Sequence, residues 1–212
     1  MALFREHISV GALTGAIGIT LLYFYALVTD PLLLALLFIV TTISSFLPDL
    51  DSDSGIPFYT VFGLFTLACT GAELYYALSH YGDSWYAVVG IPAATLLIVW
   101  FVVGDILKNF TRHRGIMHSV PAMGIVGLCA FLAARYFEQG ETLALWFAIA
   151  AALGFLTHLV LDEFHSEVNF DGIPFVPKKS LGTALKLFSG SWVVNLFIYL
   201  LLAALAYVVF AK

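Results

Sequence analysis

Leu143–Leu161 reads LALWFAIAAALGFLTHLVL and runs directly into Asp162, Glu163, Phe164 and His165. The run holds no Asp, Glu, Lys or Arg, and a hydrocarbon core about 30 Å thick is crossed by about 20 such residues in helical form. A transmembrane helix is therefore predicted, with His158 about one turn inside it. The rest of the chain repeats this pattern. Of 212 residues, 61% are hydrophobic and 11% charged, whereas a soluble domain carries roughly 45–50% apolar and about 25% charged residues. A water-soluble surface cannot be built from that composition. Cys69 and Cys129 lie inside apolar runs without partner spacing and read as small buried hydrophobes. The formal charge of -5 comes from acids confined to a few short segments, and there is no basic tail, so nothing points to nucleic acid.

Further spans are expected from about Ile8 to Val28, Leu32 to Phe46, Ile56 to Leu78, Trp85 to Leu107, Met117 to Phe137 and Trp192 to Phe210. The fold class that follows is all-α: a polytopic transmembrane helical bundle of about six or seven spans, one domain over residues 1–212, multi-pass in the cell membrane. Thr29, Asp30 and Pro31 predict a tight hairpin between the first two spans, because proline cannot continue a helix but can begin one. No removable signal peptide is read at the N-terminus, so His7 is expected to stay. If all seven spans cross, Arg5, Lys108, Arg112, Arg114, Lys178, Lys179 and Lys186 share one side and only Arg135 and Lys212 face the other. The positive-inside rule puts the first set in the cytoplasm. Every histidine except His80 falls at that same face, with Asp49, Asp51, Asp53, Asp105, Asp162, Glu163, Glu167 and Asp171.

Three clusters there can carry chemistry. At about 100° per residue, His158, Asp162 and His165 form a narrow stripe, and two imidazoles with a carboxylate suit a divalent metal. Solvated helix-end residues are the bland alternative, against which an ionisable His158 inside an apolar helix is costly without a partner. In the second cluster, Arg112–Ser119, His113 and His118 would point about 140° apart on one continuous helix. Gly115 is expected to break it, leaving His113 on a loop and His118 in the first turn of the next helix, where the two can converge. Arg112 and Arg114 beside them suit an anion, or simply anchor the cytoplasmic face. The third cluster is Asp49, Asp51 and Asp53. It is not a calcium loop, since glycine falls late at Gly55 and Thr60 stands where the bidentate glutamate belongs. One of these acids reads as a helix cap; Asp49 and Asp51 are the ligand candidates.

An N-terminal His7, then Leu47-Pro48-Asp49-Leu50-Asp51, His113-Arg114-Gly115 with His118-Ser119, Gly154 with His158 and Leu161-Asp162, and the late Gly172-Ile173-Pro174 and Pro177 span nearly the whole chain; each motif is short, and their order and spacing make the case. Together they resemble the YdjM-like family of predicted membrane-bound, metal-dependent hydrolases, which is similar, more remotely, to zinc-dependent phospholipases C. The resemblance implies metal ligands at His7, Asp49, Asp51, His113, His118, His158 and Asp162, with His165 as an addition, and it implies phosphoester hydrolysis. Glu163 to Glu167 depart from the small or threonine-rich turn expected after Asp162.

The expected activity is that of a cytoplasm-facing hydrolase using zinc, with manganese the alternative, to lower the pKa of water from about 16 towards 7. Asp49 or Asp51 would accept the proton, while Arg112 and Arg114 would hold a phosphate. A lipid is the natural substrate class, because an interfacial site can take a headgroup laterally and Phe164, Phe170, Phe175 and Trp192 supply apolar surface. The competing class is a metal or ion transporter, which would need polar residues through the midplane and on both faces. A non-catalytic scaffold would leave His158 unexplained.

Overall fold

The computed structural model describes residues 4–51, 56–104, 117–167 and 185–211. Helices follow in the order α1 Phe4–Phe24, α2 Pro31–Ser44, a 3-10 turn Leu47–Asp51, α3 Ile56–Tyr81, α4 Trp85–Leu97 with a π-helical continuation Ile98–Val103, α5 Val120–Tyr136, α6 Glu141–Glu167 and α7 Trp192–Phe210. No strand occurs among the described residues. They group into two compact units, residues 1–48 with 115–212 and residues 49–114.

Among the described residues, four helices are long and apolar enough to cross a membrane: Phe4–Phe24, Trp85–Val102, Glu141–His165 and Trp192–Phe210, with α2 and α5 as shorter apolar helices. The all-α bundle predicted from composition is thus what forms. Its outward faces are apolar: Leu13, Ile17 and Leu21 on α1 and Leu196, Leu200 and Tyr207 on α7 are all exposed. Such surfaces suit lipid and not water.

In the first unit α6 is the central element, packing against α1, α2 and α5, while α7 lies against α5 and α1 against α2. The helix starts follow from local chemistry. Asp30 accepts from the Leu33 amide at 2.9 Å and Pro31 opens α2, which gives the predicted hairpin. α1 ends four residues earlier than expected, at Phe24, because the chain turns through Ala26 at φ 55°. Ser119 caps α5 by accepting from Ala122 at 3.3 Å, with Pro121 in the first turn. α5 therefore begins after His118 and not before it as expected. Close approach of α2 and α6 requires Gly154, where a Cβ would collide with the Thr41 carbonyl oxygen, and α1 meets the end of α2 at Gly11, where a Cβ would strike the Ser45 hydroxyl. Ala122, Phe155 and Leu159 form a buried apolar layer with Leu47, Met123 and Val126.

The second unit is a helical pair, α3 against α4 and its π-helical continuation. Phe62 and Trp100 pack with ring centroids 5.8 Å apart. Pro92 lies within α4.

Candidate metal centre

The antiparallel runs of the first unit bring the start of α1, the end of α2, the approach to α5 and the last turns of α6 to one end of the bundle. His7, His118, His158 and Asp162 come together there, all buried. Asp162 Oδ1 lies 3.4 Å from His7 Nε2, and Oδ2 lies 3.6 Å from His118 Nε2 and 3.7 Å from His158 Nε2. The two facing nitrogens of His118 and His158 are 3.2 Å apart. His7 stacks on His158 with centroids 3.7 Å apart and planes at 16°, and His118 meets His158 edge-on at 5.1 Å.

Each side chain is placed by an identifiable local cause. His158 and Asp162 are four apart on α6 and so share a face. His7 is in the second turn of α1, because that helix begins at Phe4, ahead of the apolar run. His118 is held just before the Ser119 cap, where the Val120 amide donates to the Lys186 carbonyl at 3.1 Å and ties the segment before α7 to the start of α5. Ser45 joins the remaining elements. Its carbonyl lies 2.9 Å from His158 Nδ1, and its hydroxyl is within donating distance of the His7 carbonyl at 3.0 Å and the Thr42 carbonyl at 2.7 Å.

The donor set fits a divalent cation. A carbonyl oxygen only accepts, so the hydrogen bond to Ser45 puts the proton of His158 on Nδ1 and leaves Nε2 as a lone pair. That lone pair faces the Asp162 carboxylate and His118 Nε2, an arrangement that a shared cation would satisfy. Tetrahedral zinc with ligands at 2.0–2.2 Å separates neighbouring ligand atoms by about 3.3 Å, close to the 3.2–3.7 Å found here. Both ring nitrogens of His7 are buried without a hydrogen bond among the described residues; Nε2 is near Asp162 but not aligned with it. An unsatisfied buried imidazole costs about 1–3 kcal/mol, which a metal would offset. His7, His158 and Asp162 together can present one ligand atom each within 4.8 Å of one another.

The family model for the YdjM inner membrane protein matches residues 1–212. The chain belongs to the YdjM inner membrane protein family. Comparison with the curated proteins and with the solved structures gives no match, so the zinc phospholipase C likeness stays a sequence resemblance. Within this YdjM-family chain, one expected ligand, His165, stays out of the cluster. His165 turns away: its Nε2 lies 3.3 Å from Glu6 Oε2 and its Nδ1 3.0 Å from the Leu161 carbonyl, so the helical stripe carries only its first two members into the cluster. Asp49 is half-buried in the 3-10 turn and begins the second unit. The side chain of Asp51, and Arg112, His113 and Arg114, lie outside the described residues, as do Phe170 and Phe175. Phe164 and Trp192 are exposed. Sequence reasoning missed Ser45 and Glu6. The signal for Ser45 was its place in Ser44-Ser45, two hydroxyls closing an apolar span just before the Leu47-Pro48-Asp49 motif.

Proposed function

We propose that this YdjM-family chain is a membrane-embedded, metal-dependent hydrolase acting on a phosphoester at the cytoplasmic face. The observation that carries the proposal is the convergence of three buried imidazoles on the Asp162 carboxylate, with the His158 tautomer set by Ser45. His7, His118, His158 and Asp162 would hold the ion, zinc or manganese, with Asp49, Asp51 and His113 as further ligands from the sequence motifs. When bound, such an ion supplies Lewis-acid polarisation of a phosphoryl oxygen and acidifies water. The chain supplies the rest. Asp49 or Asp51 accepts the proton of the attacking water, and Arg112 and Arg114 bind the phosphate and offset its developing charge. The basic segments set the cytoplasmic orientation by the positive-inside rule.

A phosphoester screen of the purified chain in mixed micelles, with added zinc or manganese, tests the activity. Release of phosphate or headgroup that Asp162→Asn abolishes is expected. Metal-loaded, folded protein that cleaves no phosphoester, but carries zinc or manganese across proteoliposomes, would replace the hydrolase with a transporter.

A further inference from the structure

Along the helices that carry His7, Ser45 and His158, the first unit holds a groove of about 320 Å³ between α1, α2 and α6, bordered by Thr14, Gly18, Leu22, Tyr25, Trp146 and Leu153 among others. Its walls are almost wholly apolar. The two threonines on it spend their hydroxyls on their own helices, Thr14 on the Val10 carbonyl at 2.9 Å and Thr41 on the Leu37 carbonyl at 2.9 Å. The groove therefore offers no cation pathway and little to a polar ligand. It lies along apolar helices, of which α1 and α6 are long enough to cross a membrane, where hydrocarbon is the available occupant, and its volume is in the range of about 300–1,000 Å³ typical of ligand pockets.

Its position along the helices ties it to the site. Thr41 is one turn from Ser45 on α2, and Leu153 is five residues from His158 on α6. On α1, at 1.5 Å per residue, Thr14 lies about 10 Å and Leu22 about 22 Å from the level of His7. One leaflet of a 30 Å core is about 15 Å deep, so the groove begins within the leaflet nearer the site and extends past the midplane. Gly18, about 16 Å along the same axis, leaves the middle of the groove open: a Cβ there would meet nothing within 4 Å.

The geometry points to a binding site for the hydrocarbon chain of a lipid phosphoester whose headgroup lies at the metal centre. This deepens the hydrolase reading and rests on it for the identity of the headgroup. The groove selects long chains, since a short-chain or soluble phosphoester ends before its far end at Leu22 and Trp146.

The test is photolabelling of the full chain in nanodiscs with a phosphatidic acid carrying a diazirine near the end of a hexadecanoyl chain, beside an octanoyl analogue labelled likewise. Labels are expected on Leu22 and Trp146 with the long probe and not with the short one. Gly18→Phe should lower that labelling about tenfold, equivalent to about 1.4 kcal/mol, and Gly18→Leu should lower it less. Size-exclusion profiles and melting curves of both variants check folding, and the wild-type label map stands without them. Labels spread evenly over outward residues such as Leu13 and Ile17, insensitivity to both Gly18 variants, or a groove unlabelled because another helix covers it would each overturn the proposal. Labelling needs no turnover. Groove labelling without hydrolysis leaves the chain site standing and removes the hydrolase; hydrolysis without groove labelling does the reverse.

Discussion

Asp162 meets His7, His118 and His158 from one side chain, with contacts of 3.4, 3.6 and 3.7 Å. Asp162→Asn keeps the shape and removes the anionic donor. It is expected to weaken zinc binding by more than the roughly 10–100-fold that changes outside the ligand set cost, measured by competition with a chromogenic chelator. His165→Ala should bind as wild type, because that ring engages Glu6 and the Leu161 carbonyl; a matching loss of affinity in His165→Ala would return it to the ligand set. Ser45→Ala is expected to cost about 1 kcal/mol of stability, the net worth of one hydrogen bond, while sparing the Ser45 carbonyl that orients His158. The residues of the cluster were legible because each is an ionisable group stranded at the end of an apolar run. The ring orientations were not, since a backbone carbonyl at Ser45 and the register between α1 and α6 have no signature in the local sequence.

At the scale of elements, the end of α2 sits between α1 and α6, and two glycines permit it. Gly154→Ala places a methyl group against the Thr41 carbonyl oxygen. Overpacking of this kind typically costs about 1–3 kcal/mol, so its melting temperature should fall while Gly18→Ala, in open space, leaves it near wild type. A Gly154→Ala protein as stable as wild type would contradict the tight α2–α6 contact. Span positions were readable from hydropathy to within a few residues; α7 begins and ends where expected, at Trp192 and Phe210. The misplaced ends have physical reasons. α1 starts early because Phe4, Arg5, Glu6 and His7 extend the helix beyond its apolar run, and α5 starts late because Ser119 and Pro121 set the cap. His158 and Asp162 share the face that helical periodicity predicts, but periodicity alone does not reveal that Glu6 on α1 takes up His165.

Across the whole molecule, chain direction gathers widely separated positions at one end of the first unit: His7 opens α1, Ser45 closes α2, His118 precedes α5, and His158 and Asp162 close α6. The positive-inside rule, applied to the basic residues of the polar segments in the sequence, predicts a cytoplasmic site. In a cysteine-free background, Arg5→Cys in intact cells should resist a membrane-impermeant maleimide until the membrane is permeabilised, whereas Gly140→Cys should react at once; the opposite pattern would invert the orientation. Ligand binding to the folded state adds about 2.7 kcal/mol of stability at a metal concentration 100 times Kd, so chelation should lower the melting temperature of the wild type and not of Asp162→Asn. The most direct test of the metal centre is elemental analysis of the purified full chain beside the His158→Ala, Asp162→Asn double variant. Stoichiometric zinc or manganese in the wild type and its loss in the variant is the predicted result; a well-folded wild type that holds no metal after reconstitution would contradict the account.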